Sequence, residues 1–149
     1  MKIGQKIPHF TATDTHENAF DSDSVVGKNP VVVYFYPKNN TPGCNAQACS
    51  FRDQYQDFTD LGATVIGISG DSQASHEKFT QKYNLPFTLL SDYDKKIRTA
   101  FNVPSGLFGL LPGRVTYVAD KEGIIRMIFD SQMATKHIPK ALEAIKKFT

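Results

Sequence analysis

The run VVVYFY, from Val31 to Tyr36, constrains the fold more than any other stretch of the chain. Its residues are all β-branched or aromatic, with no polar alternation, which suits a strand buried on both faces. Such a strand belongs inside a sheet that carries helices above and below it. Pro37 ends the run, because it fixes φ and has no N–H to give to a ladder. Just beyond it, Ala48, Phe51, Tyr55 and Phe58 recur at helical spacing, so residues 42–60 read as one amphipathic helix.

The alternation continues. TVIGIS (Thr64–Ser69) is a second buried strand, Ser72–Tyr83 a helix, and FTLL (Phe87–Leu90) a third strand. Asp94–Phe101 reads as a short helix. VTYVA (Val115–Ala119) and IIRMIF (Ile124–Phe129) flank DKEG and form a hairpin. Ile138, Leu142 and Ile145 place an apolar stripe on a C-terminal helix. Residues 1–29 are polar and turn-rich, with extended pieces near Phe10–Thr13. Each connection between the first three strands contains a helix, so these strands should run parallel. The expectation is an α/β protein with a thioredoxin-like fold: a mixed central sheet flanked by helices, in one domain over residues 1–149.

Composition narrows the function classes. The net charge of +2 leaves no basic footprint for nucleic acid. No apolar run approaches the roughly 20 residues of a membrane span. MKIGQKIPHF has neither an apolar signal region nor a transit-peptide composition, which points to the cytosol. The 2 cysteines, Cys44 and Cys49, are too few for a disulfide scaffold. In a reducing compartment a close pair is catalytic, redox-sensing or metal-binding more often than structural.

Thr41 is a good N-cap residue and Pro42 a good first helical residue. They put Cys44 in the first turn of the helix, where free amides and the positive end of the dipole favour a thiolate, the reactive form. Cys49 follows five residues later. At i and i+5 two helical residues stand about 140° apart around the axis and their Cα atoms ~8.6 Å apart, beyond the roughly 7 Å reach of a disulfide. A bond between them needs the first turns to unwind. Cys49 reads equally well as a small buried hydrophobe. Zinc fits poorly, because C-x4-C is wide and no second pair completes a tetrahedral site. His9, His16, His76 and His137 are scattered and read as surface or structural residues. The C-x-x-C of a dithiol oxidoreductase is absent.

YPKNNTPGCNAQACSFRD closely resembles the active-site segment of the peroxiredoxins, in the branch called peroxiredoxin Q or bacterioferritin comigratory protein. IGQKIPHFTATD, VIGISGDSQASHEKFTQKYNLPFTLLSD and GRVTYVADKEGII resemble other segments of that branch, so the likeness covers nearly the whole chain. The segment departs from the branch's usual pattern at Asn45 and Gln47. The resemblance implies a thiol-dependent peroxidase acting on hydrogen peroxide and organic hydroperoxides. Cys44 would be the peroxidatic cysteine, and Cys49 the resolving cysteine that forms an intramolecular disulfide with it. Thr41 would hydrogen-bond the thiolate or peroxide, Pro37 would shield the pocket from water, and Arg114 would hold thiolate and peroxide oxygens. The reductant would be thioredoxin or a similar dithiol, with no metal, haem or flavin. The resemblance further implies a monomer, and the charge and hydropathy above point to no nucleic-acid or membrane partner.

Read without the resemblance, Arg114 is a solvated residue at a strand end and Thr41 a simple cap. Two other functions stay open on the same fold: a thiol sensor or chaperone-like binder, and a one-cysteine peroxidase. Leu107, Phe108, Leu110 and Leu111, in the 104–113 segment, either cover part of the core or form an apolar rim for bulky peroxides or the reductase.

Overall fold

The computed structural model describes residues 1–14, 18–104 and 113–148. In chain order its elements are β1 (Thr11–Thr13), β2 (Ala19–Asp21), β3 (Val31–Phe35), α1 (Pro42–Asp53), α2 (Tyr55–Asp60), β4 (Thr64–Ser69), α3 (Gln73–Tyr83), β5 (Thr88–Ser91), α4 (Lys96–Ala100), β6 (Val115–Ala119), β7 (Ile125–Asp130) and α5 (His137–Lys146). β1 and β2 form a small antiparallel pair. The main sheet has the order β5-β4-β3-β6-β7. β3, β4 and β5 are parallel, as helical connections require. β6 runs antiparallel to β3, and β7 pairs with β6 as the expected hairpin.

The central strand shows why its sequence is apolar throughout. Val32, Tyr34 and Tyr36 face one layer, with Cys44, Ala48 and Phe51 of α1 and Ile138, Ala141 and Ile145 of α5. Val31, Val33 and Phe35 face the other, with Ile97 of α4, Phe101 and the N-terminal residues Ile7 and Phe10. Period-2 alternation thus supplies two cores from one strand.

Several expected boundaries need correction. The helix expected over 42–60 is two helices, broken at Gln54 (φ −106°, ψ 11°). No Pro or Gly marks the break. It accompanies ring packing, with Phe58 against Phe51 at 5.6 Å and Tyr55 against Phe87 at 6.1 Å. The short helix near 94–101 covers only Lys96–Ala100, because the Asp92 carboxylate accepts from the amides of Ile97 and Arg98 and fixes the helix start. The third strand lies one residue later than read, at Thr88–Ser91.

Gly67 sits in β4 between Tyr34 and Leu89. A Cβ there would meet Leu89 Cδ2 at 2.7 Å, Tyr34 Cζ at 2.8 Å and Tyr34 Oη at 2.9 Å. The glycine makes room for the fully buried Tyr34 ring, which stacks on Phe51 at 4.6 Å. Gly67→Ala is therefore expected to lower unfolding free energy by ~1–3 kcal/mol through overpacking, as read by urea denaturation. An unchanged denaturation midpoint would show that the Tyr34 pocket yields freely.

Candidate active site

The site forms where β3 ends and α1 begins, at the carboxyl end of a central strand. Pro37 follows the strand and is half-buried. Thr41 has the extended conformation of an N-cap (φ −111°, ψ 149°) and Pro42 opens the helix. The expectation that the Thr41 side chain caps the helix is corrected: its hydroxyl donates to the carbonyl of Lys38 at 2.9 Å, and no side chain caps α1. The amides of Gly43 and Cys44 precede the first intrahelical bond, from Asn45 N to Thr41 O, so they are left to the site. An uncapped helix start of this kind attracts negative charge.

Cys44 is 2% exposed and Cys49 half-buried, and both are free thiols. Both lie within the unbroken α1, on different faces, as the i, i+5 spacing requires.

Arg114 is the clearest departure from what its position suggested. It is 5% exposed, not solvated. Its Nη1 donates to Gln47 Oε1 at 2.5 Å and its Nη2 to Cys44 Sγ at 3.4 Å. Among the described residues it forms no ion pair with a carboxylate, and its Nε has no hydrogen-bond partner. A buried cation is costly unless something compensates its charge. Here the groups it meets are an amide oxygen and a sulfur. A thiolate at Cys44 is the counter-charge that this geometry suits. Gly43 permits the approach, since a Cβ there would stand 3.1 Å from Arg114 Nη2.

Gln47 is a site residue whose contact the sequence reading missed. It is fully buried on α1, three residues after Cys44, and orients the guanidinium. Its place on the Cys44 side of α1 was legible, because i and i+3 share a helix face, but its partner was not. His137 is a second such residue. Its Nε2 donates to the Ser131 carbonyl at 2.7 Å, which leaves Nδ1 to accept from the Thr116 hydroxyl at 2.7 Å. Burial, above all, holds its pKa below the ordinary histidine value. This pins the 3₁₀ turn Ala134–Lys136, whose Ala134 side chain borders Gly43. His76 is buried too, and His9 pairs with Asp21 on the surface. His16 and the candidate rim of Leu107, Phe108, Leu110 and Leu111 lie outside the described residues.

The arrangement brings together Cys44, Arg114 and Gln47, with Thr41 and Pro37 on the entering loop. The AhpC/TSA family model matches residues 3–128. "Peroxiredoxin Q, chloroplastic" of Populus jackii is 51% identical over 144 residues, covering 96% of this chain and 67% of that protein. The protein of the same name from Sedum lineare is 50% identical, covering 96% of this chain and 77% of its own length. Among solved structures, peroxidoxin BcpB of Mycobacterium tuberculosis superposes with a TM-score of 0.91 at 31% identity, covering 100% and 99% of the two chains. The bacterioferritin comigratory protein of Xanthomonas campestris, described for alkyl peroxide reduction, gives 0.84 at 27% identity over 93% and 90%. These neighbours bear out the expected thioredoxin-like fold. The expectation of a cytosolic protein is overturned, because the curated relatives are named as chloroplastic. An address is carried by a targeting segment, not by the physics of a folded domain. Matched along most of its length by the family and by peroxiredoxin Q relatives, the chain belongs to the AhpC/TSA family and is a thiol-dependent peroxidase of the peroxiredoxin Q kind.

Proposed function

We propose that Cys44 is the peroxidatic cysteine and Cys49 the resolving cysteine of this peroxidase, acting within one domain and one chain. The observation that carries the reading is the buried Arg114 guanidinium, with no carboxylate partner among the described residues, donating to Cys44 Sγ at 3.4 Å. In the first step the Cys44 thiolate attacks one oxygen of a hydroperoxide and the O–O bond breaks. The leaving oxygen takes a proton and departs as water or an alcohol, and Cys44 becomes a sulfenic acid. Arg114 and the first-turn amides of α1 stabilise the charge that moves onto the leaving oxygen. The Thr41 hydroxyl donates its hydrogen bond to Lys38 O, so its lone pairs are what it offers a peroxide O–H. Pro37 covers the entering side.

In the second step the first turns of α1 unwind and the Cys49 thiol attacks the sulfenic sulfur, releasing water and forming a disulfide. In the third, a dithiol of the thioredoxin type reduces that disulfide by exchange and is itself oxidised. Hydrogen peroxide and organic hydroperoxides are the substrates, the working unit is a monomer, and a plastid is the compartment that the relatives' names support.

The test adds one equivalent of hydrogen peroxide to reduced protein and maps the peptides, with NADPH consumption followed in the presence of thioredoxin and its reductase. A Cys44–Cys49 linkage with sustained turnover is expected. An oxidised Cys44 without that linkage would leave a one-cysteine peroxidase, and slow turnover with the linkage would leave a sensor.

A further inference from the structure

Between β3 and α1, Lys38 and Asn40 are exposed, but Asn39 between them is 5% exposed. Every polar group of the Asn39 side chain is used. Its Oδ1 accepts from Tyr36 Oη at 2.6 Å. Its Nδ2 donates to His76 Nδ1 at 3.0 Å and to Ser75 Oγ at 3.1 Å. Its backbone amide donates to Asp71 Oδ2 at 2.9 Å, and that carboxylate also accepts from Ser69 Oγ at 2.6 Å. The Asp71 carbonyl accepts in turn from Ser91 Oγ at 2.6 Å. His76 lies on α3 and is 1% exposed. Burial, chiefly, lowers its pKa. The Asn39 amide donating to Nδ1 assigns the ring proton to Nε2, which is buried without a hydrogen-bond partner among the described residues.

Apart from Tyr36, which directly follows β3, these anchors stand at the end of β4, on α3 and at the end of β5. None belongs to α1. Asn39 follows Lys38, whose carbonyl accepts a hydrogen bond from the Thr41 hydroxyl. A chain of contacts therefore runs from the β4–α3 corner through Asn39 and Lys38 to the oxygen that meets substrate.

We propose that Asn39 and His76 are positioning residues for the peroxide-reducing step, which hold the Lys38–Thr41 loop so that the Thr41 oxygen faces the peroxide at Cys44. The inference rests on the role given to Thr41 above. Because the clamp is fixed to β4 and α3, it keeps the loop in place when α1 opens, and the site reforms on the same template after reduction.

The experiment compares wild type with Thr41→Val, Asn39→Ala, His76→Leu, His76→Gln and the Thr41→Val/Asn39→Ala double variant. Two rates are read on each reduced protein: oxidation of Cys44 by hydrogen peroxide in rapid mixing, and alkylation of Cys44 by iodoacetamide. Alkylation reports the thiolate without needing Thr41. Thr41→Val, Asn39→Ala and His76→Leu are each expected to slow peroxide oxidation about tenfold or more, since small misplacements of a reacting group cost up to roughly 100-fold. Alkylation is expected to stay within about twofold under the same logic. His76→Gln, whose amide oxygen can accept from Asn39, should recover most of the peroxide rate. The double variant should be no slower than the slower single one, because both changes act on one contact.

If Thr41→Val slows oxidation but Asn39→Ala and His76→Leu do not, the clamp is overturned while the Thr41 role stands. If Thr41→Val has no effect, both fall. If alkylation declines in parallel with oxidation, or His76→Gln is as slow as His76→Leu, the residues serve the fold generally and the proposal is overturned.

Discussion

Cys44→Ser is expected to abolish peroxide turnover, leaving no more than about a thousandth of the wild-type rate, because the serine hydroxyl has no comparable anionic form at neutral pH. The substitution is nearly isosteric. Serine can still accept from Arg114 Nη2, which in the native protein lies 3.4 Å from Sγ. The fold should therefore survive, at a cost on the order of 1 kcal/mol for a hydroxyl in a site otherwise packed by Ala48 and Phe51. Cys44→Ala separates the two effects, because it removes the nucleophile without burying a hydroxyl. Thioredoxin-coupled NADPH consumption and the far-UV circular dichroism melt of both variants provide the check. Residual turnover above a few per cent of wild type in either variant would move the attacking group elsewhere, and Cys49 would be the first candidate.

Cys49→Ser is expected to permit one turnover and then stall. With one equivalent of peroxide, Cys44 should still oxidise at close to the native rate, because the hydrogen bonds that join Arg114 to Gln47 and Cys44, and Thr41 to Lys38, do not involve Cys49. The sulfenic acid then has no partner in the chain. Thioredoxin-supported turnover should fall by about 100-fold or more, and excess peroxide should carry Cys44 on to the sulfinic acid. Full thioredoxin-supported turnover would overturn the resolving role.

The proposed resolving step requires the start of α1 to open while its last turn stays in place. Its last turn is held, since Phe51 stacks on Tyr34 at 4.6 Å and Arg52 Nη1 donates to the Tyr83 carbonyl at 2.7 Å. The first turns are held by Arg114, which donates to Cys44 and Gln47, and by the burial of Ala48, but not every polar group there is met. Asn45 Oδ1 and Gln47 Nε2 are buried without hydrogen-bond partners among the described residues. Opening returns these atoms to water, which offsets part of the lost burial of Ala48 and Cys44. The break at Gln54 confines the change, because unwinding the start of α1 need not disturb α2.

Much of this was legible from the residues. The apolar run Val31–Tyr36 required a doubly covered strand, and every residue of it is buried. Helical connections required β3, β4 and β5 to be parallel, and they are. The C-terminal stripe of Ile138, Leu142 and Ile145 lies in the core. These features follow from local periodicity and chain connectivity, which sequence carries directly. The place of Cys44 in the first turn of a helix was also readable, because Thr41 and Pro42 are local signals.

What no local signal contained was the company each side chain keeps. Arg114 is 70 residues from Cys44 along the chain, and only the register of β6 on β3 carries its guanidinium to the sulfur. Residues that read as a strand-end charge and a scattered histidine became a buried cation and a buried partner of Asn39. Periodicity sets which face of an element is apolar, so the chain by itself determined the sheet, its helices and the helix start that holds the thiol. Long-range hydrogen bonds depend on where separate elements come to rest, and tertiary packing alone decided the partners of Arg114, Gln47, Asn39 and His76.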